Sequence, residues 1–430
     1  MRKNKLFFAS LMTAFLINAS YGQASNSKEE DVNTYELLNL FGEVMERAKV
    51  SYVEEVTDKK LIESAIDGML TSLDPHSSFL DTESFNYMSE QTKGKFGGLG
   101  IEITMDNGLV KIVSPIDDTP AAKAGIKAGD YITHINNETV VGMNLNDAVS
   151  KLRGKIGTTV NLTIRRINSK PIDLTIKREE IKIQSVKSEI KEDAISYIRI
   201  SSFSEDIDKN ISDAIKKAKN ELKDKLLGVV IDVRNNPGGL LDQAVEVSDL
   251  FLDKGEIVST RSRNEADTVK FMANEGDIAR GLPIVVIINE GSASASEILA
   301  GALQDHHRAI ILGEKSFGKG SVQTVIPLGS HGAMRLTTAR YYTPAGRSIQ
   351  AKGIEPDIEV KPAKVEEFES YAFNLSEADL NNALKNEEDS EAKDKSKTKN
   401  KKSKEDLQDY QLVRALDLVK ALAIYSKFEN

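Results

Sequence analysis

A chain of 430 residues is long enough for two or three domains, and with 40% apolar and 29% charged residues most of it should be globular. The formal net charge of −9 argues against nucleic-acid binding driven by bulk charge. Cysteine is absent, which excludes disulfides, Cys-ligated zinc, iron–sulfur clusters and a thiol nucleophile.

The N-terminus reads MRKNK, then an apolar run from Leu6 to Ala19, then small and polar residues. That is the pattern of a secretory signal peptide, and the run is shorter than the ~20 residues a membrane span needs. Cleavage after Ala24 is expected, which would take the charge to −12 because Arg2, Lys3 and Lys5 leave with no acids. The mature protein is therefore expected to be exported and periplasmic, with peripheral attachment to the membrane left open.

Residues 25–92 should be a helical region. Leu37, Leu38, Phe41, Val44 and Met45 follow a helical period, and a second helix should stop near Asp74-Pro75. The texture changes to short strands and turns over 93–180. Phe96–Ile103 is glycine-rich and runs into a strand, and its glycines allow several N–H groups to share one concavity suited to a carboxylate. Thr119–Asn136 contains a helix-opening proline, a helix-ending Gly125 and a Gly129-Asp130 turn. Leu145, Ala148, Val149 and Leu152 form one helical stripe, and Val160, Leu162 and Ile164 alternate as a strand. This pattern resembles bacterial PDZ domains. The resemblance implies that Gly98, Leu99, Gly100 and Ile101 hold a peptide's C-terminal carboxylate while its strand pairs with the domain edge. Arg153, just past the groove helix, is a candidate regulatory residue, because a planar, always charged group can bridge domains. A solvated arginine at a helix end is the plainer reading.

Over 181–360, three unbroken apolar runs (226–232, 283–289 and 309–313) read as strands buried on both faces of a parallel sheet. Ligands in such sheets sit at the C-terminal strand ends. One loop there is Asp232-Val233-Arg234-Asn235-Asn236-Pro237-Gly238-Gly239, whose glycines precede a helix. Exposed N–H groups beside a positive helix end can stabilise an oxyanion, although a simple turn explains the same glycines. Another loop carries Ser292-Ala293-Ser294-Ala295-Ser296-Glu297. Helix capping would need only one serine, so three with alanines between favour tight packing round a reactive hydroxyl. His306 and His307 lie 12 and 13 residues further on, about 18 Å along a helix, too far to serve as its base. Lys319 is the remaining candidate. Its glycine neighbours permit close approach, Phe317 is expected to exclude water, and a desolvated lysine is a usable base. Gln323, four residues on, could orient it. No metal or other cofactor is expected, since Asp305-His306-His307 is poor ligand spacing.

SASASEI ahead of FGKGSVQ, together with DVRNNPGG, DPHSSF and the PDZ-like module, resembles the carboxyl-terminal processing peptidases, also called tail-specific proteases (peptidase family S41). The resemblance covers roughly residues 35–360. It implies an α/β protease core of the crotonase/ClpP type with an inserted PDZ domain and helical N- and C-terminal segments. It makes Ser294 the nucleophile, Lys319 the base and Gln323 its support. It places the oxyanion hole at the N–H of Gly238 or Gly239 and that of Ala295. It also implies protein or peptide substrates with apolar C-termini and leaves room for an adaptor protein. A crotonase-like acyl-CoA enzyme and a non-enzymatic PDZ binding protein are the alternatives.

The remaining 361–430 comprise a Lys-rich solvated linker (386–406) and an amphipathic helix with Leu412, Leu416, Val419 and Leu422 on one side. The apolar faces of this helix and of the one near Leu37–Met45 lack an obvious partner, so a homo-oligomer is expected.

Overall fold

A computed structural model describes residues 33–116, 118–167, 169–364 and 409–426. The expected signal peptide, the whole Lys-rich linker and the last four residues lie outside the described residues. The chain divides at Asp67 into two units. The first holds helix α1 (Thr34–Ser51), capped by Asn33, and the first turns of α2 (Asp58–Thr71). No residue of α1 is buried, and Leu37, Leu38, Leu40, Phe41 and Val44 are all exposed.

The second unit opens with a strand the periodicity did not predict, β1 (Ser78–Leu80), and with α3 (Thr82–Lys93). Three residues are too few for a sequence period to register. The strand exists because it pairs with a long partner, β18 (Ala333–Tyr342), far along the chain. Next, β2 (Lys95–Gly98) pairs with β9 (Glu179–Lys182), closing the neck of the PDZ-like module. Within it, β3 (Ile101–Asp106), β4 (Leu109–Pro115), β5 (Tyr131–Ile135), β7 (Thr159–Arg165) and β8 (Ile172–Lys177) form an antiparallel sheet, with β6 (Glu138–Thr139) on β5. The short α4 (Pro120–Lys123) opens on its proline. The groove helix α5 (Leu145–Leu152) opens on a capping box between Asn144 and Asp147. Leu99, Ile112, Ala121, Ile132, Ala148, Leu152 and Leu162 fill a core of its own.

The remaining chain forms an α/β core. Its sheet runs β10 (Val186–Lys191), β11 (Ile195–Ile200), β12 (Gly228–Asp232), β15 (Ile284–Ile288), β16 (Ile310–Gly313) and β19 (Ile358–Glu359). From β11 to β19 all neighbours are parallel. Every residue of β12 and β15 is buried, as their unbroken Val/Ile runs require. One face is covered by α6 (Ile207–Leu222), α7 (Leu241–Asp249) and α8 (Ala295–Asp305), sharing a core with Phe203, Phe251, Ile257 and Tyr341. A second sheet joins β18 to β1, β13 (Glu256–Ser262) and β17 (Ser321–Pro327), with β14 (Val269–Met272) at its edge.

The other face is covered by α9 (Tyr410–Tyr425). Its Leu412, Ala415, Leu416 and Val419 are buried with Val230, Val285, Ile287 and Leu312 of the parallel strands. The apolar stripe at 412–422 therefore has its partner within the chain, and the expectation that this helix needs a second copy is corrected. A single helical stripe records that a face is buried but not by which surface.

Candidate active site

The two loops singled out above leave adjacent parallel strands and are stitched together. The Ser292 hydroxyl donates to the Val233 carbonyl at 2.8 Å, and that of Ser296 donates to the Asn236 carbonyl at 3.0 Å. The Ala293 N–H reaches the same Asn236 carbonyl at 2.9 Å. The outer serines of the Ser-Ala-Ser-Ala-Ser run thus hold the Asp232–Gly239 loop, and the middle one is left for other work.

Ser294 sits at the turn into α8 with φ 56° and ψ −111°, a left-handed backbone that a non-glycine residue adopts only when its surroundings enforce it. It is 7% exposed, and its backbone N–H donates to the Glu297 carboxylate three residues on. Gly238 packs directly against it. A Cβ on Gly238 would lie 2.8 Å from the Ser294 Cβ and 3.0 Å from the Ala295 nitrogen, so only glycine permits this approach. The N–H groups of Gly239 and Ala295 have no acceptor among the described residues, whereas the Gly238 N–H donates to Asn236 Oδ1 at 2.9 Å.

Glu297 brings the third segment in. Its carboxylate is fully buried and takes four donors. Oε2 accepts from the Ser294 N–H at 2.7 Å and the Lys319 N–H at 2.9 Å. Oε1 accepts from the Ser316 hydroxyl and the Gly318 N–H, both at 2.6 Å. One oxygen atom therefore joins the backbone of Ser294 to that of Lys319. Burial pushes the Glu297 carboxyl above its usual range despite these bonds.

Burial pulls the Lys319 ammonium below its ordinary value, the Arg335 charge adds to this, and the Glu297 charge opposes it. No ion pair or side-chain hydrogen bond engages the Lys319 Nζ among the described residues. The expected aromatic shield is corrected: Phe317 is itself 64% exposed, and the glycines flanking Lys319 pack against the backbone of residues 349–353 instead. Gln323 follows a register shift in β17, and its side-chain amide donates to Ser321 Oγ at 2.9 Å and Thr337 Oγ1 at 3.3 Å. His306 caps the far end of α8 and bonds the Glu256 carbonyl, as its spacing from Ser294 required.

Several neighbours were not singled out from sequence. Asp74 Oδ1 accepts from the Thr337 hydroxyl at 3.0 Å, so the Asp-Pro-His-Ser-Ser turn reaches the residue that Gln323 touches. Arg335 Nε donates to the His76 carbonyl at 3.0 Å. Burial, and then the Lys319 charge, lower the His76 imidazole. The Tyr341 phenol, 5% exposed, is pushed up to about 12 by burial, with the neighbouring Ser294 side chain opposing the shift. No local spacing announces these partners, since they come from the turn before β1 and from β18, both distant in the chain from Ser294. The Glu297 signal was visible, as an acid three residues after a helix-opening serine, but capping explained it equally well.

In the PDZ-like module, Gly98, Leu99, Gly100 and Ile101 line one groove with Val149, Leu152 and Arg153. The N–H groups of Leu99 and Gly100 have no acceptor among the described residues. Arg153 ends α5 with its guanidinium 4.1 Å from the Phe96 ring centre, 5.3 Å from that of Tyr87 and 3.7 Å from Glu90. It thus bridges the module to α3. It also borders a second cavity of about 740 Å³ whose other walls include Leu80, Tyr87 and Arg335.

Family models match three stretches of the chain: peptidase family S41 over residues 194–360, a PDZ domain over 111–166, and the N-terminal domain of the activating protease CtpB over 9–84. The carboxy-terminal-processing protease of Bartonella bacilliformis is 51% identical over 91% of this chain and 90% of its own. The chain belongs to peptidase family S41. The carboxy-terminal processing protease CtpA of Bacillus subtilis is 38% identical over 84% of this chain and 78% of its own. Among solved structures, a photosystem II D1 C-terminal processing protease matches at 31% identity and a TM-score of 0.44, over 75% of this chain and 93% of its own. The protein is thus a carboxy-terminal processing protease, a serine peptidase with a PDZ domain, and the acyl-CoA and non-enzymatic alternatives fall away. No described helix of this protease is long and apolar enough to cross a membrane.

Proposed function

We propose that this protease is exported and cleaves proteins captured by their C-termini, with Ser294 as nucleophile and Lys319 as general base. The observation that carries the reading is the single Glu297 oxygen shared by the Ser294 and Lys319 amides, which ties a strained serine to a lysine whose pKa is lowered by burial. In this reading the neutral Lys319 amine takes the Ser294 hydroxyl proton as Oγ attacks the scissile carbonyl. The Ala295 N–H and one from the Gly238-Gly239 turn hold the developing oxyanion. If Gly238 is the donor, its bond to Asn236 Oδ1 must exchange. Lys319 then gives its proton to the leaving amine, and water hydrolyses the acyl-serine. Gln323, with Thr337 and Asp74 behind it, supports the strand that follows Lys319.

The groove lined by Gly98 to Ile101 takes the substrate's terminal carboxylate and an apolar last side chain, and Arg153 links that groove to the cavity that ends at Arg335. That continuity supports a route from captured C-terminus to active site, with Arg153 as the residue that reports capture. Cleavage of an unfolded protein by the purified chain, lost in both Ser294→Ala and Lys319→Ala with folding intact, tests the reading. Undiminished cleavage by either variant would overturn it.

A further inference from the structure

Arg234 lies in the Asp232–Gly239 loop, five residues before Gly239, and all five of its N–H donors are engaged. Nε donates to both Asp232 oxygens at 3.1 and 3.2 Å, and Nη2 donates to Asp232 Oδ2 at 2.7 Å. On the other side, Nη1 reaches Asp409 Oδ1 at 2.9 Å and Gln411 Oε1 at 3.0 Å, while Nη2 reaches Asp409 Oδ2 at 2.6 Å. The guanidinium is thus clamped between a carboxylate at the end of β12 and one at the head of α9, about 175 residues away in sequence. Burial raises the Asp409 carboxyl, but its bonds to Arg234 more than offset this and hold it below the usual range. Gln411 is 3% exposed, and its own amide donates to the Val360 carbonyl at 2.7 Å.

The placement of α9 makes this more than a surface ion pair. Its apolar face lies on Val230 of β12 and on Val285 and Ile287 of β15. Those are the strands that end in the Gly238-Gly239 turn and in the Ser294 turn. Bidentate pairing fixes the plane of a guanidinium as well as its position. Arg234 is the one cationic side chain in the Asp232–Gly239 loop, and through it α9 holds that loop.

We propose that Asp409 and Gln411 are positioning residues for the oxyanion-binding turn, acting through Arg234, so that the far C-terminal helix is part of the active centre's scaffold. The inference rests on the reading that the Gly238-Gly239 turn holds an oxyanion. It assigns a role to a segment that lies outside the stretch matched to the peptidase family model.

The decisive variant is Asp409→Asn in the full chain. Asparagine caps a helix as well as aspartate does, so the cap bond to the Leu412 N–H survives while the charged fork is lost. Turnover of an unfolded protein should fall tenfold or more, with KM and peptide affinity of the PDZ groove within twofold. Leu416→Ala, which loosens α9 without touching the fork, should lower the melting temperature at least as much yet keep kcat within twofold well below that temperature. Arg234→Lys should match Asp409→Asn, and the double variant should be no worse than either single change, as expected of two residues acting as one unit. A kcat for Asp409→Asn within twofold of the parent would overturn the inference. So would an equal kcat loss in Leu416→Ala, or additive losses in the double variant. Ser294→Ala run alongside separates the two claims: activity surviving there refutes the nucleophile assignment itself.

Discussion

Replacing Glu297 by glutamine exchanges one carboxylate oxygen for an NH2 group and changes almost nothing in volume. If the NH2 takes the Oε2 position, it faces the Ser294 and Lys319 N–H groups, and both lose their acceptor. If it takes the Oε1 position, the Gly318 N–H is orphaned, while the Ser316 hydroxyl, which already accepts from the Ile354 N–H at 2.7 Å, can turn to accept again. The second arrangement strands fewer groups and should be adopted. A buried unsatisfied donor costs about 1–3 kcal/mol, so a loss near 2 kcal/mol is expected, survivable for a fold of about 5–15 kcal/mol. The catalytic cost should be larger. Misplacement of reacting groups by about 1 Å can cost on the order of 100-fold in rate. Urea unfolding should therefore show a folded protein with a modestly lowered midpoint, and proteolysis should fall by about 100-fold with PDZ peptide binding unchanged. A Glu297→Gln protein with the expected stability loss but kcat within threefold would refute the claim that this carboxylate aligns the two segments.

The depressed Lys319 pKa predicts that activity rises with pH as the lysine loses its proton. Arg335 contributes to the depression, so Arg335→Gln should raise the Lys319 pKa and move the rise in kcat to higher pH; an unmoved pH–rate curve would remove Arg335 from the electrostatics of the site. Arg153→Ala should lower turnover of protein substrates while peptide affinity, read by anisotropy, stays within twofold; a parallel fall in both would make Arg153 only part of the groove.

The parallel sheet and the three segments that meet around Ser294 were legible because their signals are local. Unbroken Val/Ile runs mark strands buried on both faces, and Gly-Gly or Ser-Ala-Ser at a strand end marks a crowded turn. The roles of Ser292 and Ser296 were half legible: the crowding could be read, but not that each hydroxyl grips the neighbouring loop. Asp74 was visible within the DPHSSF motif but its partner was not, and Thr337 and Tyr341 were illegible, because they reach the site through the β1–β18 and β17–β18 pairings, whose registers no single segment encodes. The α9 stripe was read correctly as a buried face and assigned the wrong partner. The head of that helix, Asp409 and Gln411, carries charge and amide chemistry that only acquires meaning beside Arg234. The exposed apolar residues of α1, by contrast, stand as the sequence suggested, and the homo-oligomer expectation now rests on that helix alone.

The central claim is that the middle serine of the run is the one that becomes acylated. Incubating the protease with a short peptidyl ester, quenching in acid and mapping the tryptic peptides by fragmentation mass spectrometry reads this directly. The acyl group should sit on Ser294, should be absent from the Ser294→Ala protein, and should form far more slowly in Lys319→Ala. An adduct on Ser292 or Ser296, whose hydroxyls are committed here to the Val233 and Asn236 carbonyls, would contradict the account.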